Sequence, residues 1–378
     1  MASSIIRKSA PPLAAVFMLT ASVEANTAYT LAAGYVQVNV SAGSLGAVSA
    51  TLQTKSKHTS NADIGAHNDS GTPGDASDDT QSITVTGAGW TPDAFVNHLC
   101  YVSEDGANPG EEAFLITGNT SDTLTVLTEF DLMAAERNFP STTSVTVREG
   151  HTLKTLFGEP GEIGTGDLIY LWNGSSWVTY YYSIGAWRKV GGGFGDFGGD
   201  IVFPDEGFFI QRDAANGDLT LTFFGDVPGK AQITTITGPG LRFVSSRYPV
   251  NTRVRDLGFQ NLPNWVEGSG VDLGYLWNGS NWVTYYYFLG AWRKVGGGFG
   301  DFGDDVVLAD SGIFVARDAV STPQESANYH ALPYTPCTEL LKKSPIPPFD
   351  MRSAPLAFIT LLAAASVGNA APSAVDVT

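Results

Sequence analysis

The stretch LWNGSSWVTYYYSIGAWRKVGGGFGDFGGD, Leu171 to Asp200, returns as LWNGSNWVTYYYFLGAWRKVGGGFGDFGDD, Leu276 to Asp305. The duplicated unit spans Asp167 to Ala214 and Asp272 to Ala319, with about 36 of its 48 positions identical. Self-similarity at a fixed spacing marks a repeated supersecondary unit, so each copy is expected to form one module. Asn173-Gly174 sits between two aromatic and β-branched runs, and both residues tolerate the positive φ of a tight turn. The flanks therefore read as a hairpin. A four-residue NGSS loop sets Trp172 opposite Trp177, Tyr170 opposite Thr179 and Leu168 opposite Tyr181 on one face. Ile169, Leu171, Val178 and Tyr180 occupy the other. The same register in the second copy pairs Trp277 with Trp282 and Gly274 with Tyr285. Both faces are apolar, which predicts a ribbon covered on both sides by layers or by a partner surface.

Two uses of these rings are open. Burying an aromatic side chain is worth roughly 1.5 to 3 kcal/mol, so the cluster can serve as a module core. Alternatively Trp172, Trp177, Tyr181, Trp187, Trp277, Trp282, Tyr286 and Trp292 are exposed stacking platforms for sugar rings, with two copies raising avidity for a polysaccharide.

The glycine-rich tail of the unit contains GFGDFG, Gly193 to Gly198, but the following GGDIVFPDEGFFIQR reads as strand rather than helix, which excludes a nucleotide site. A surface loop with Phe194 and Phe197 tucked under it is the plainer expectation. Asp196 and Asp200, matched by Asp301 and Asp305, are weak calcium candidates. Arg188, Lys189, Arg293 and Lys294 read as solvated or stacked on neighbouring rings.

Outward from the repeat, the 378 residues are 43% hydrophobic, 16% charged and 11% aromatic, with 43 Gly and 20 Pro. That composition suits many short strands separated by turns. A net charge of −17 repels phosphate backbones and anionic surfaces, so nucleic acid is excluded as a partner. Residues 1–25 combine Arg7 and Lys8, an apolar run and Val23-Glu24-Ala25, the pattern of a secretory leader. A secreted, extracellular or cell-surface location follows.

An N-terminal β-domain is expected over 26–150, a first β-module over 151–228, a second over 229–320 and an atypical tail over 321–378. Asn61 to Gln81 is read as a polar loop, and Asp131 to Phe139 as a short helix. From Met351 the tail repeats the leader pattern: Ser353, Ala354, Pro355, Ser366 and Val367 echo Ser9, Ala10, Pro11, Ser22 and Val23. This predicts a read-through into a second leader-like segment, 351–371. Membrane contact arises only if that segment is instead an anchor. Cys100 and Cys337 permit at most one disulfide.

No catalytic constellation emerges. The five histidines lack ligand spacing, and the carboxylates Asp205 and Glu206 become Asp310 and Ser311 in the second copy. WNGSSWVTYYY, GAWRKVGG and PDEGFFIQR, with AFLITGNTSDTLTVL and HTLKTLFG upstream, resemble an uncharacterised family of secreted bacterial proteins over roughly residues 30 to 320. The resemblance implies an exported protein built on this module. The expectation is an all-β chain, an N-terminal β-domain plus two tandem sandwich- or barrel-like modules. It would act without catalysis as a structural or adhesion protein among envelope proteins, or else as a carbohydrate-binding protein.

Overall fold

The computed structural model describes residues 33–334 apart from 70–77, 105–109, 135, 136, 138, 159–161, 174, 237 and 319–325. Both leader-like segments, 1–25 and 351–371, and Cys337 lie outside the described residues.

The chain opens with β1 (Ala33–Val40) and β2 (Leu45–Ser49). Six strands follow: β3 (Ser56–Asn68), β4 (Thr80–Thr84), β5 (His98–Ser103), β6 (Gly110–Asn119), β7 (Thr123–Leu127) and β8 (Thr142–Glu149). The path returns through β9 (His151–Thr152) and the single helical turn α1 (Leu153–Phe157). The first repeat then supplies β10 (Leu168–Trp172), β11 (Trp177–Ser183), β12 (Ala186–Lys189), β13 (Ile201–Val202) and β14 (Gly207–Gln211), followed by β15 (Leu219–Asp226). The rest comprises β16 (Ala231–Ile236), β17 (Gly240–Ser245), β18 (Thr252–Arg253), β19 (Leu273–Trp277), β20 (Trp282–Phe288), β21 (Ala291–Lys294), β22 (Val306–Val307), β23 (Gly312–Arg317) and β24 (Ser326–His330). The protein is all-β.

The hairpin register is the expected one. Trp172 pairs with Trp177 and Tyr170 with Thr179, while Trp277 pairs with Trp282 and Gly274 with Tyr285. Asn173 Oδ1 fixes the loop by accepting from the backbone N–H groups of Ser175 and Ser176 at 3.1 and 2.7 Å.

Each module is a five-stranded sheet, β12-β11-β10-β14-β2 in the first and β21-β20-β19-β23-β17 in the second. The β1–β15 ribbon closes the first core, where Val38, Leu221 and Phe223 meet Ile169, Trp187 and Phe208. Element for element the second module repeats the first. Strand β17 (LRFVS at its end) takes the place of β2 (LGAVS), β16–β24 that of β1–β15, and β18–β22 that of β9–β13.

The N-terminal boundary therefore needs correction. Strands β1 and β2 belong to the first module, and residues 53–149 are inserted between β2 and β9, where the second module has only a short connection. Contiguity in sequence concealed this, because an insertion separates the module's halves without altering their strand patterns. The insert closes on itself: β3 pairs β4 and β8, β5 pairs β6 and β8, and β7 pairs β4 and β6, forming a six-stranded antiparallel barrel. Closure leaves no unpaired edge. Only β16 is added, parallel to β6 at Ala231–Gly110 and Gln232–Glu111.

Three further expectations change. Asn61–Asn68, read as loop, is the second half of β3; its inward residues are Ala62 and Ile64, too few and too small to outweigh the polar outward ones. Ser326–His330, assigned to the atypical tail, is a strand paired with β16 whose buried residues Ser326, Asn328 and His330 are polar, so no apolar alternation marks it. The described residues of the 131–139 segment form a turn, and the helical turn lies instead at α1, capped by Thr152.

Candidate functional site

The tryptophan faces of the two hairpins meet each other. Phe209 stacks on Phe243 with centroids 4.9 Å apart, and Phe243 on Phe314 at 4.3 Å. Trp177 packs edge-on to Phe314 at 5.8 Å and Trp282 to Phe209 at 5.7 Å. Trp172 Nε1 donates to the carbonyl of Leu241 at 3.0 Å, and Trp277 Nε1 to that of Leu45 at 2.9 Å. The backbone follows the same exchange: Ser49 N donates to Asp310 O at 2.7 Å, Ser245 N to Asp205 O at 2.8 Å. The tryptophan and backbone contacts each have their counterpart with the modules interchanged, which defines a pseudo-twofold, isologous interface; the Phe243 stack is one-sided, because Ala47 stands at its place in the first module. The duplicated stretch thus packs against its own copy.

This decides where the candidate stacking residues lie. Trp187 and Trp292 are 2% exposed inside their own module cores, so neither offers a ring face to a sugar. Trp172, Trp277 and Trp282 are partly buried in the interface, and Trp177 keeps 36% exposure at its rim. Tyr181 and Tyr286 are half-buried beside Arg188 and Arg293 on the third strands. The core reading holds, with the core shared between modules.

The calcium candidates are engaged by the protein. Asp200 Oδ2 accepts from the Tyr180 hydroxyl at 2.8 Å and pairs with Lys189, and Asp305 treats Tyr285 and Lys294 the same way. Asp196 Oδ1 accepts from Trp187 N and Gly198 N, and Asp301 Oδ1 from Gly303 N, so these carboxylates brace the glycine loops. Among the described residues no group of three metal-ligating side chains occurs. Lys189 lies over Phe197 and Lys294 over Phe302, as expected for stacked cations. Phe194, expected beneath its loop, is 90% exposed instead, because Phe197 fills the space against the core.

Two clefts flank the interface in equivalent places. One, of about 350 Å³, lies where the barrel meets both modules and is lined by Trp172, Phe203, Asp205, Glu206, Thr234 and Arg242, with Glu112, Glu129 and Phe130 from the barrel. The other, of about 610 Å³, presents Trp277, Leu308, Asp310, Ser311, Val38 and Gly46 at the matching positions. Tryptophan and aspartate are common to both. The charged Glu206 and Arg242 belong to the first alone.

In that first cleft Glu112 is bound to Arg137, Asp205 lies 3.9 Å from Arg247, and Glu129 lies 3.9 Å from Arg242. Burial, reinforced by the neighbouring Asp205 charge, pushes the Glu206 carboxyl up to about 8, with Arg242 opposing in part. Asp205 is also raised, chiefly by burial. The adjacent pair was visible in the sequence. That it sits in a cleft was not, because the barrel wall reaches it from over seventy residues upstream.

Among the described residues no helix is long and apolar enough to cross a membrane. Comparison of the chain with family models, with curated proteins and with solved structures returned no match.

Proposed function

We propose that this chain is a non-catalytic structural or adhesion protein, exported by its N-terminal leader and held at the cell surface or released. The observation that carries the reading is the pair of equivalent exposed apolar loops: Phe194 is 90% exposed and Phe299 83%, with Ile184 at 85% and Leu289 at 73% on the adjoining hairpin tips. Large apolar side chains left this open mark contact surfaces. Ile184 and Leu289 further adopt φ of 52° and 50°, a region that a β-branched residue such as isoleucine rarely occupies. The pseudo-twofold interface holds both loop sets on one base, and two linked weak contacts bind more firmly than either alone.

The test is retention of purified protein on isolated cell envelopes. The double variant Phe194→Ser with Phe299→Ser is expected to lose retention while keeping its melting temperature; unchanged retention would refute adhesion through these loops. A second reading, carbohydrate binding, is favoured by Trp177 at the interface rim. A ligand-dependent fluorescence shift across a polysaccharide panel, abolished by Trp177→Ala in a variant that stays folded, would select it.

A further inference from the structure

We propose that the cleft between the barrel and the two modules binds a small hydroxylated organic cation, of the size and chemistry of an amine-bearing sugar unit. This goes beyond the adhesion role and does not depend on it.

The charge pattern identifies the cation. Three of the four lining carboxylates already have a guanidinium within 4 Å: Glu112 with Arg137, Asp205 with Arg247 and Glu129 with Arg242. Glu206 has none within that distance among the described residues, and Arg242 acts on it only from further away. One carboxyl thus faces the space without a guanidinium beside it, and it gives up its proton to solvent only when a cation supplies the counter-charge. An ammonium would supply that charge, in a cleft also lined by the aromatic residues Trp172 and Phe203.

An independent observation identifies the hydroxyl partner. Thr234 lines the same cleft and is 1% exposed, yet its Oγ1 has no hydrogen-bond partner among the described residues. A buried polar atom left unpaired costs about 1 to 3 kcal/mol. The aromatic walls suit the apolar face of a sugar ring, and about 350 Å³ lies at the lower end of ligand-site volumes.

The sister cleft shows that the fold does not require these features. It has Ser311 for Glu206 within the near-identical repeat, and Val38 for Thr234, Gly46 for Arg242 and Ala47 for Phe243 in flanking strands whose sequences differ more widely. The twin keeps one carboxyl without a guanidinium, Asp310, but it has no second carboxyl at the Glu206 position and no unpaired buried hydroxyl at the Thr234 position. A ligand that completes both accounts for the difference.

Calorimetric titration of the full chain with glucosamine tests this, with glucose and N-acetylglucosamine as uncharged controls. Saturable one-site binding of glucosamine is expected, with both controls weaker by about tenfold or more. Glu206→Ser, which copies the sister cleft and which thermal melting should show to be folded, is expected to weaken glucosamine by a similar factor. Equal binding of glucose, unaltered binding by Glu206→Ser, or no binding of glucosamine at millimolar concentration would each overturn the proposal. The Phe194→Ser, Phe299→Ser double variant is expected to bind glucosamine normally, which separates this site from the adhesive loops.

Discussion

The indole N–H of Trp172 donates to the backbone carbonyl of Leu241, 3.0 Å away on the edge strand of the opposite module's sheet. Edge strands expose unpaired backbone groups, and here each module's tryptophan satisfies one such group on the other. Trp172→Phe keeps most of the ring but orphans the Leu241 carbonyl, so a loss of about 1 to 3 kcal/mol is expected in chemical denaturation. Trp277→Phe, which orphans Leu45 in the same manner, is expected to cost about as much. A loss confined to one variant would contradict the twofold relationship.

A second pair of equivalent contacts closes each module. Asp167, fully buried, pairs with Arg212 at 2.5 Å, and Asp272, equally buried, pairs with Arg317 at 3.1 Å. Each carboxylate also accepts from loop backbone: Asp272 takes Val266 N and Asp318 N. Asp272→Ala leaves a buried guanidinium uncompensated and is expected to cost about 3 to 5 kcal/mol. The double replacement Asp272→Leu with Arg317→Met should recover much of that loss, as measured by urea midpoints; no recovery would mean that the backbone contacts dominate.

Cys100 lies buried in the barrel wall, and burial pushes its thiol up to about 12. The thiolate is the reactive form, so Cys100 is expected to resist a thiol reagent at pH 8 until denaturant opens the barrel. Labelling of Cys100 in the native protein, located by peptide mapping, would contradict this burial.

What the sequence disclosed follows a physical divide. The hairpin register was legible because Asn173-Gly174 fixes the turn locally and the alternation of large residues fixes the faces. The second hairpin of each module, turning at Ile184-Gly185 and Leu289-Gly290, was hidden because isoleucine and leucine are not turn residues. Strand β24 escaped because its inward residues are polar and meet the polar face of β16, so burial there leaves no hydrophobic trace. The inserted barrel escaped for a topological reason: pattern reading registers strands, while membership of a module depends on pairing between residues nearly two hundred positions apart. The charged cleft combines both difficulties.

His330 sets the acid side of stability. Burial, with the nearby Arg247 charge adding to it, lowers this imidazole from an ordinary 6.5 to about 3. Between those values the unfolded chain takes up a proton that the folded chain refuses. Its contribution is therefore complete above pH 6.5 and declines on acidification by about 1.4 kcal/mol per pH unit. Because Glu206 has the opposite slope above pH 4.5, the effect is best read in the Glu206→Ser background. There, unfolding free energy is expected to fall from pH 6.5 to 5, and adding His330→Gln should reduce the slope.

Glu206 governs the alkaline side. Its carboxyl is raised from an ordinary 4.5 to about 8, so from pH 4.5 upward the unfolded chain releases a proton that the folded cleft retains. Stability is fully present below 4.5 and is lost as pH rises towards 8, by at most about 1.4 kcal/mol per unit. Water at the partly open rim reduces that figure. Glu206→Ser removes the titration, so the variant should match the parent near pH 4.5 and exceed it at pH 8, where His330 no longer contributes a slope. A carboxylate retained at such a cost fits a site built for a ligand rather than for rigidity. If the parent is as stable as Glu206→Ser at pH 8, Glu206 already has a counter-ion in the empty cleft, and the argument for a bound cation falls with it.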